Sequence, residues 1–216
     1  MKVLILDNFD SFTYNLYQML GEVLYSQGIA HLTQVDVLRN NEIDLGQIKA
    51  RAYTHIIISP GPGTPENPDY FGVCGDVIKE LGEHTPILGV CLGMQGISHC
   101  FGAKLKHSKP PIHGKVSTID HDGQGLFSGL PSALEVMRYH SIMVDPSSVP
   151  DSLVVTAVTE GDNQALGRLN NDTVIMGVRH KSWPVHGIQF HPESFATEGG
   201  LQILENFISD EFNEKF

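Results

Sequence analysis

The feature that most restricts how this chain folds is a set of short, unbroken apolar runs: Val3-Leu4-Ile5-Leu6, Ile56-Ile57-Ile58 and Ile87-Leu88-Gly89-Val90. A strand with one wet face alternates apolar and polar residues, whereas a run apolar at every position belongs to a strand covered on both faces. Such runs alternating with amphipathic segments imply parallel strands joined by crossover helices. Asp7-Asn8-Phe9-Asp10 breaks the first run. From Phe12 the apolar positions Leu16, Met19, Leu20, Val23 and Leu24 recur at helical spacing, with Asp10 or Ser11 as N-cap and Gly28 as the stop. The same reasoning predicts strands over 32–38, 55–58 and 86–90 and helices over 44–51, 71–81 and 92–101.

After about Gly102 the pattern shifts to shorter, alternating segments, which predict strands over 114–119, 134–139, 153–158, 164–169, 173–178 and 185–190. Asn170-Asn171 suits a hairpin turn, and Ile203, Leu204, Phe207 and Ile208 mark a closing helix over 201–208. The fold class expected is α/β: an open, mostly parallel sheet flanked by helices, with an additional β-rich second half. No repeat, low-complexity stretch or linker divides the chain, and its 216 residues suit one generous domain over 1–216.

Fourteen Lys and Arg against 25 Asp and Glu give a formal charge of -11, which repels nucleic-acid phosphates and acidic membrane faces. No apolar run approaches the roughly 18 residues of a membrane span, and Met1 to Asp7 is too short for a signal-peptide core, so a cytoplasmic protein is expected. Cys74, Cys91 and Cys100 are odd in number and widely spaced, which indicates neither a disulfide framework nor a metal site.

The chemistry concentrates at Gly89-Val90-Cys91-Leu92-Gly93, where a buried strand hands over to a helix. This is the thiol counterpart of the nucleophile elbow, a tight turn that lifts a reactive side chain out at the carboxyl edge of the sheet. Taken alone, Cys91 fits either a nucleophile or a small core residue. His191-Pro192-Glu193 follows the last predicted strand; in extended geometry His191 and Glu193 share a face, so Glu193 can orient the imidazole of a base. A strand end with an incidental carboxylate is the plainer alternative. Ser59-Pro60-Gly61-Pro62-Gly63-Thr64-Pro65 closes the strand over 55–58, where backbone N–H groups can serve as oxyanion donors together with the N–H of Leu92. By itself it is also an ordinary strand-to-helix turn. Gln95, four residues after Cys91, shares its helical face and can reach a bound substrate.

Together these segments resemble the triad, or class I, glutamine amidotransferases, and within them the glutaminase subunits of anthranilate synthase and aminodeoxychorismate synthase. The likeness covers nearly the whole chain. It is carried by Asp7 to Asn15, Ser59 to Gly63, Gly89 to Gln95, His113-Gly114-Lys115, Arg138-Tyr139-His140-Ser141 and Gln189 to Ser194. The resemblance implies that Cys91 attacks the carboxamide of L-glutamine, with His191 and Glu193 completing the triad. It also implies an oxyanion hole from the amides of Gly61 and Leu92, and glutamine binding by Gly61, Pro62, Gly63, Gln95, Ser141 and Ile142. Ammonia would pass to a separate chorismate-binding synthase subunit, which is also where magnesium is expected; no cofactor is expected in this chain. The Gly63-Thr64-Pro65 wording leans toward anthranilate. The Asp7–Asn15 and His113–Lys115 segments would face the synthase. Met94 departs from the family pattern, which usually has His after Gly93. A stand-alone γ-glutamyl hydrolase and an inactive regulatory module are the competing readings.

Overall fold

The apolar runs become adjacent central strands. The computed structural model describes residues 1–159, 166 and 169–209, with the backbone alone at 109–113. In it β1 (Lys2–Asp7), β3 (His55–Ile58) and β4 (Ile87–Val90) lie side by side in parallel, and β2 (Gln34–Arg39) flanks β1. Successive side chains in a strand point to opposite faces, so each run feeds two cores. Val3, Ile5, Ile57 and Leu88 pack with Leu16 and Leu20 of α1 (Thr13–Ser26) and with Ile203, Leu204 and Phe207 of α6 (Gly200–Ile208). Leu4, Leu6, Ile56, Ile58 and Ile87 pack on the other side with Ile48 of α2 (Leu45–Arg51), Val77 and Ile78 of α4 (Cys74–Leu81) and Ile97 of α5 (Leu92–Cys100).

Two helix boundaries differ from the sequence expectation. Neither Asp10 nor Ser11 caps α1; Phe12 holds the N-cap position without a side-chain bond. Asp10 instead accepts a hydrogen bond from Phe12 N (2.7 Å), and Asp7 accepts from Asp10 N (3.1 Å) and Thr13 Oγ1 (2.7 Å). The carboxylates therefore build the turn ahead of the helix rather than its cap. The helix predicted over 71–81 is two, α3 (Pro68–Phe71) and α4, broken at Gly72 with φ 48°. The Asn40 carbonyl lies 2.5 Å from where a Cβ at Gly72 would sit, so only glycine fits this corner.

The β-rich half extends the same sheet. Among the described residues β5 (Leu105–His121), β6 (Ala133–Val144), β7 (Leu153–Thr159), β8 (Ile175–His180) and β9 (Val185–Ile188) complete a nine-stranded order β2-β1-β3-β4-β9-β8-β7-β5-β6. The strand expected over 114–119 is the end of the 17-residue β5, whose pairing with β6 shifts register between His107 and Ile112 and again between His113 and Lys115. The strand expected over 164–169 falls almost wholly outside the described residues. Thr173 N donates to Asn170 O (3.1 Å), so the Asn170-Asn171 turn stands at the entry to β8. β9 pairs antiparallel with β8 but parallel with β4, with Val90 opposite Ile188. That pairing brings the carboxyl ends of β4 and β9 together. Among the described residues no helix is long and apolar enough to cross a membrane.

Candidate active site

β4 ends at Val90 and α5 begins at Leu92, so Cys91 alone makes the turn, at φ 52° and ψ -101°. A side-chain-bearing residue held in such a region stores about 1–3 kcal/mol of strain. Cys91 N donates to Ile188 O (2.8 Å) and Cys91 O accepts from Gln95 N (3.1 Å), which fixes the elbow from both sides. The flanking glycines allow it, because a Cβ at Gly93 would strike the Ile58 carbonyl and one at Gly89 the backbone of Gly93. The sulfur thus sits at a helix N-terminus, where unpaired N–H groups favour negative charge. The strain is testable: Cys91→Gly should be more stable than Cys91→Ala by about 1 kcal/mol. Coincident urea midpoints for the two variants would show the elbow to be relaxed.

Beyond β9 the chain bends through Gln189 and Phe190, pinned by Gln189 N donating to Met176 O (2.9 Å) and His191 N donating to Met137 O (3.2 Å). His191 is buried at 4% exposure, and its Nδ1 lies 2.6 Å from Glu193 Oε1. A carboxylate only accepts, which places the proton on Nδ1 and turns Nε2 toward the elbow. Burial alone would lower the imidazole's proton affinity; the Cys91 sulfur and the Glu193 carboxylate outweigh it and raise the pKa well above the ordinary value. Among the described residues His191 Nε2 and Glu193 Oε2 have no hydrogen-bond partner of ordinary geometry.

The turn after β3 packs against the start of α5. At Gly61 a Cβ would come within 2.6 Å of Asn8 and 2.9 Å of Leu92, so the missing side chain lets this backbone approach both. Among the described residues neither Gly61 N nor Leu92 N donates to another protein group, which leaves both amides available. Asn8 anchors the turn: its N donates to Ser59 Oγ (2.9 Å) and its Nδ2 to Ser59 O (2.8 Å). In the Asp7–Asn15 segment, then, Asp7 and Asn8 are internal clamps, while Phe9, Phe12 and Tyr14 are exposed.

A polar chain runs from β6 to the sulfur. Arg138 Nε donates to His140 Nε2 (3.2 Å), so His140 must carry its proton on Nδ1, which donates to Ile142 O (3.0 Å). Burial, reinforced by the Arg138 charge, lowers the His140 pKa to about 4 and keeps the ring neutral. Gln95 Nε2 donates to Ile142 O (3.0 Å) and to Gln189 Oε1 (3.1 Å), and Gln189 Nε2 donates to Cys91 Sγ (3.5 Å).

Of the residues singled out from sequence, Cys91, Leu92, Gly61, Gln95, Ile142, His191 and Glu193 converge here. Pro62, Gly63 and Ser141 are exposed at the rim, and no hydrogen bond among the described residues joins their side chains to Cys91 or Gln95. Met94 is wholly buried against Gly187 of β9, so the departing position faces the core. Gln189 was visible only as part of a shared segment, because nothing local says that a polar residue after an apolar strand meets a distant thiol. Among the described residues no group of His, Cys, Asp or Glu side chains could hold a metal ion.

The family model for class-I glutamine amidotransferases matches residues 4–210. The chain belongs to this family. Among relatives of this amidotransferase, anthranilate synthase component 2 of Leptospira biflexa is 50% identical over 210 residues, 97% of this chain and 100% of that one. Aminodeoxychorismate synthase component 2 of Escherichia coli (strain K12) is 43% identical over 206 residues, 95% of this chain and 98% of that one. Among solved structures, a Thermoplasma acidophilum protein assigned to GMP synthase superposes with a TM-score of 0.74 at 26% identity, covering 96% of the amidotransferase and 92% of that chain. A glutamine amidotransferase from Thermotoga maritima, at 18% identity, shares the fold with a TM-score of 0.66, covering 89% and 76%.

Proposed function

We propose that the chain is the glutaminase subunit of a chorismate-using synthase, in the manner of anthranilate synthase component 2. Cys91 is the nucleophile, His191 the proton carrier and Glu193 the group that orients it. The observation that carries this reading is the His191–Glu193 pair at 2.6 Å, raised in proton affinity by the strained Cys91 beside it. His191 Nε2 takes the thiol proton as sulfur attacks the carboxamide carbon of glutamine. The N–H groups of Gly61 and Leu92 receive the developing oxyanion. The imidazolium then protonates the departing amine, ammonia leaves, and water delivered through His191 hydrolyses the thioester to glutamate. Both hydrogens of Gln95 Nε2 are committed to protein acceptors, so Gln95 can offer substrate only its Oε1, an acceptor suited to the ammonium of glutamine. Pro62, Gly63, Ser141 and Ile142 would border the amino-acid end of the substrate.

A cleft beside the imidazole supports a protein partner. Phe12, Tyr139, His191, Glu193 and Phe195 line it, and Phe195 is fully exposed. Phe12, Tyr14 and Tyr139 are exposed as well, which gives the mouth an apolar surface of the kind that marks interaction sites. A synthase subunit docked there would receive ammonia before it met bulk water. The likeness to the Escherichia coli protein keeps aminodeoxychorismate synthase as a second reading.

The test is to isolate the chain with its partner and assay chorismate plus glutamine for 2-aminobenzoate against the 4-amino product. The isolated chain should be a poor glutaminase and the partner with chorismate should raise turnover, because the oxyanion donors are aimed fully only in the complex. Full turnover by the chain alone would make it a stand-alone hydrolase.

A further inference from the structure

A second polar side chain besides the base touches the nucleophile. Gln189 is wholly buried, directly after β9, and its Nε2 lies 3.5 Å from Cys91 Sγ. A buried amide is costly unless its polar atoms are paired, and here both ends are: the nitrogen on sulfur, Oε1 on Gln95 Nε2 at 3.1 Å. The direction of the amide follows from its neighbours. The Ile142 carbonyl can only accept, so Gln95 presents its NH2 there. The same NH2 faces Gln189, which must answer with oxygen and so presents its own NH2 to the sulfur. A flip of Gln189 would set two NH2 groups against each other and an oxygen against the sulfur.

We propose that Gln189 is a positioning residue for the nucleophile, its amide N–H holding the Cys91 sulfur in the attacking form with an orientation imposed through Gln95 by the Ile142 carbonyl. This rests on the glutaminase reading above. Sulfur is a weak acceptor as a thiol, and a hydrogen bond strengthens when its acceptor is charged, so this donor favours the thiolate over the thiol. A neutral amide suits the task because it neither titrates nor competes for the proton passing to His191. Standing two residues apart just past the end of β9, Gln189 and His191 approach the sulfur from one strand end, the first as fixed donor and the second as proton carrier. The same logic gives the Arg138–His140 pair a purpose at a distance, since His140 Nδ1 also binds the Ile142 carbonyl and fixes where it points.

The test uses the assembled complex carrying Gln189→Met, which keeps the volume and removes the donor, with Gln189→Leu beside it. Three quantities are read: the rate of Cys91 alkylation by iodoacetamide, followed by peptide mass spectrometry; kcat/KM for glutamine; and the glutamate concentration that half-protects Cys91. The first two should fall together by about tenfold, the scale of one hydrogen bond to a charged group, while half-protection by glutamate stays put. Unchanged alkylation and kcat/KM in variants of unaltered melting temperature would overturn the proposal. So would a loss of kcat/KM matched by weaker glutamate protection at unchanged alkylation, the mark of a pocket residue. Should both variants fail to assemble, Gln95→Met decides: it leaves Gln189 in place but frees its amide to flip, and alkylation that does not slow overturns the proposal. A wild-type complex without glutaminase activity would sink the glutaminase reading itself, and the alkylation rates would still judge the hydrogen bond.

Discussion

Cys91→Ser should lower glutamine-dependent product formation by the complex at least about 10^3-fold, the scale seen when a catalytic nucleophile is removed, and leave ammonia-supported synthesis intact. The substitution exchanges one atom. The elbow backbone, the Gly61 and Leu92 amides and the His191–Glu193 pair all keep their places, because none of them depends on sulfur for its position. What is lost is acidity and nucleophilicity: a hydroxyl gives up its proton far less readily than a thiol, and a pair built for an imidazolium beside a sulfur anion does not form. Ammonia added from solution bypasses the step, since on the proposed function the aminating chemistry belongs to the synthase subunit. The check is one enzyme preparation assayed with glutamine and with ammonium salt. Equal loss with both nitrogen sources would mean that Cys91 supports the complex rather than the hydrolysis, and retained glutamine activity would remove it as nucleophile.

His191→Ala should cost glutamine turnover about 10^2- to 10^4-fold, the usual worth of a positioned general base. Glu193→Gln should cost less, and the geometry says why. A glutamine can keep its oxygen on His191 Nδ1 and turn its NH2 to the place of Oε2, which has no partner among the described residues, so the correct tautomer survives. What disappears is the negative charge that helps raise the proton affinity of His191. Because the imidazolium must protonate the departing amine, activity fails where His191 loses its proton, and the alkaline limb of the pH–rate profile should move to lower pH in Glu193→Gln. An unmoved limb, or a Glu193→Gln loss as deep as that of His191→Ala, would assign the pair a different role.

Much of this arrangement is written in short stretches. Ile56-Ile57-Ile58 cannot be a half-wet strand, and the structure buries all three. The glycines around Cys91 could mark either an elbow or an ordinary strand end; the positive φ of Cys91 and the close approach of Gly93 to the Ile58 carbonyl belong to the elbow. His191 and Glu193 do meet, as their spacing suggests, but across a turn at Pro192 and Glu193 rather than on one face of an extended strand. The break between α3 and α4 was illegible for the opposite reason: Phe71 to Leu81 has helical periodicity, and the corner at Gly72 is held by Asn40, brought in from just past β2, whose Nδ2 donates to Tyr70 O (2.8 Å) and whose O accepts from Val73 N (3.1 Å).

The sequence by itself determined the strand-helix alternation, the elbow and the His-Pro-Glu end, all of which depend on residues within a turn or a few positions of one another. The tertiary structure decided which distant ends meet. The run over 185–190 reads as one more strand of the β-rich half, yet β9 leaves that antiparallel group to lie parallel to β4, with Val90 opposite Ile188. Nothing in either strand's own pattern names the other, because an apolar strand buried on both faces is satisfied by any neighbour that completes its hydrogen bonds and covers its sides. The choice is made by how the whole sheet closes its core and its ladder. It sets His191 and Gln189 beside Cys91, across about a hundred residues of chain.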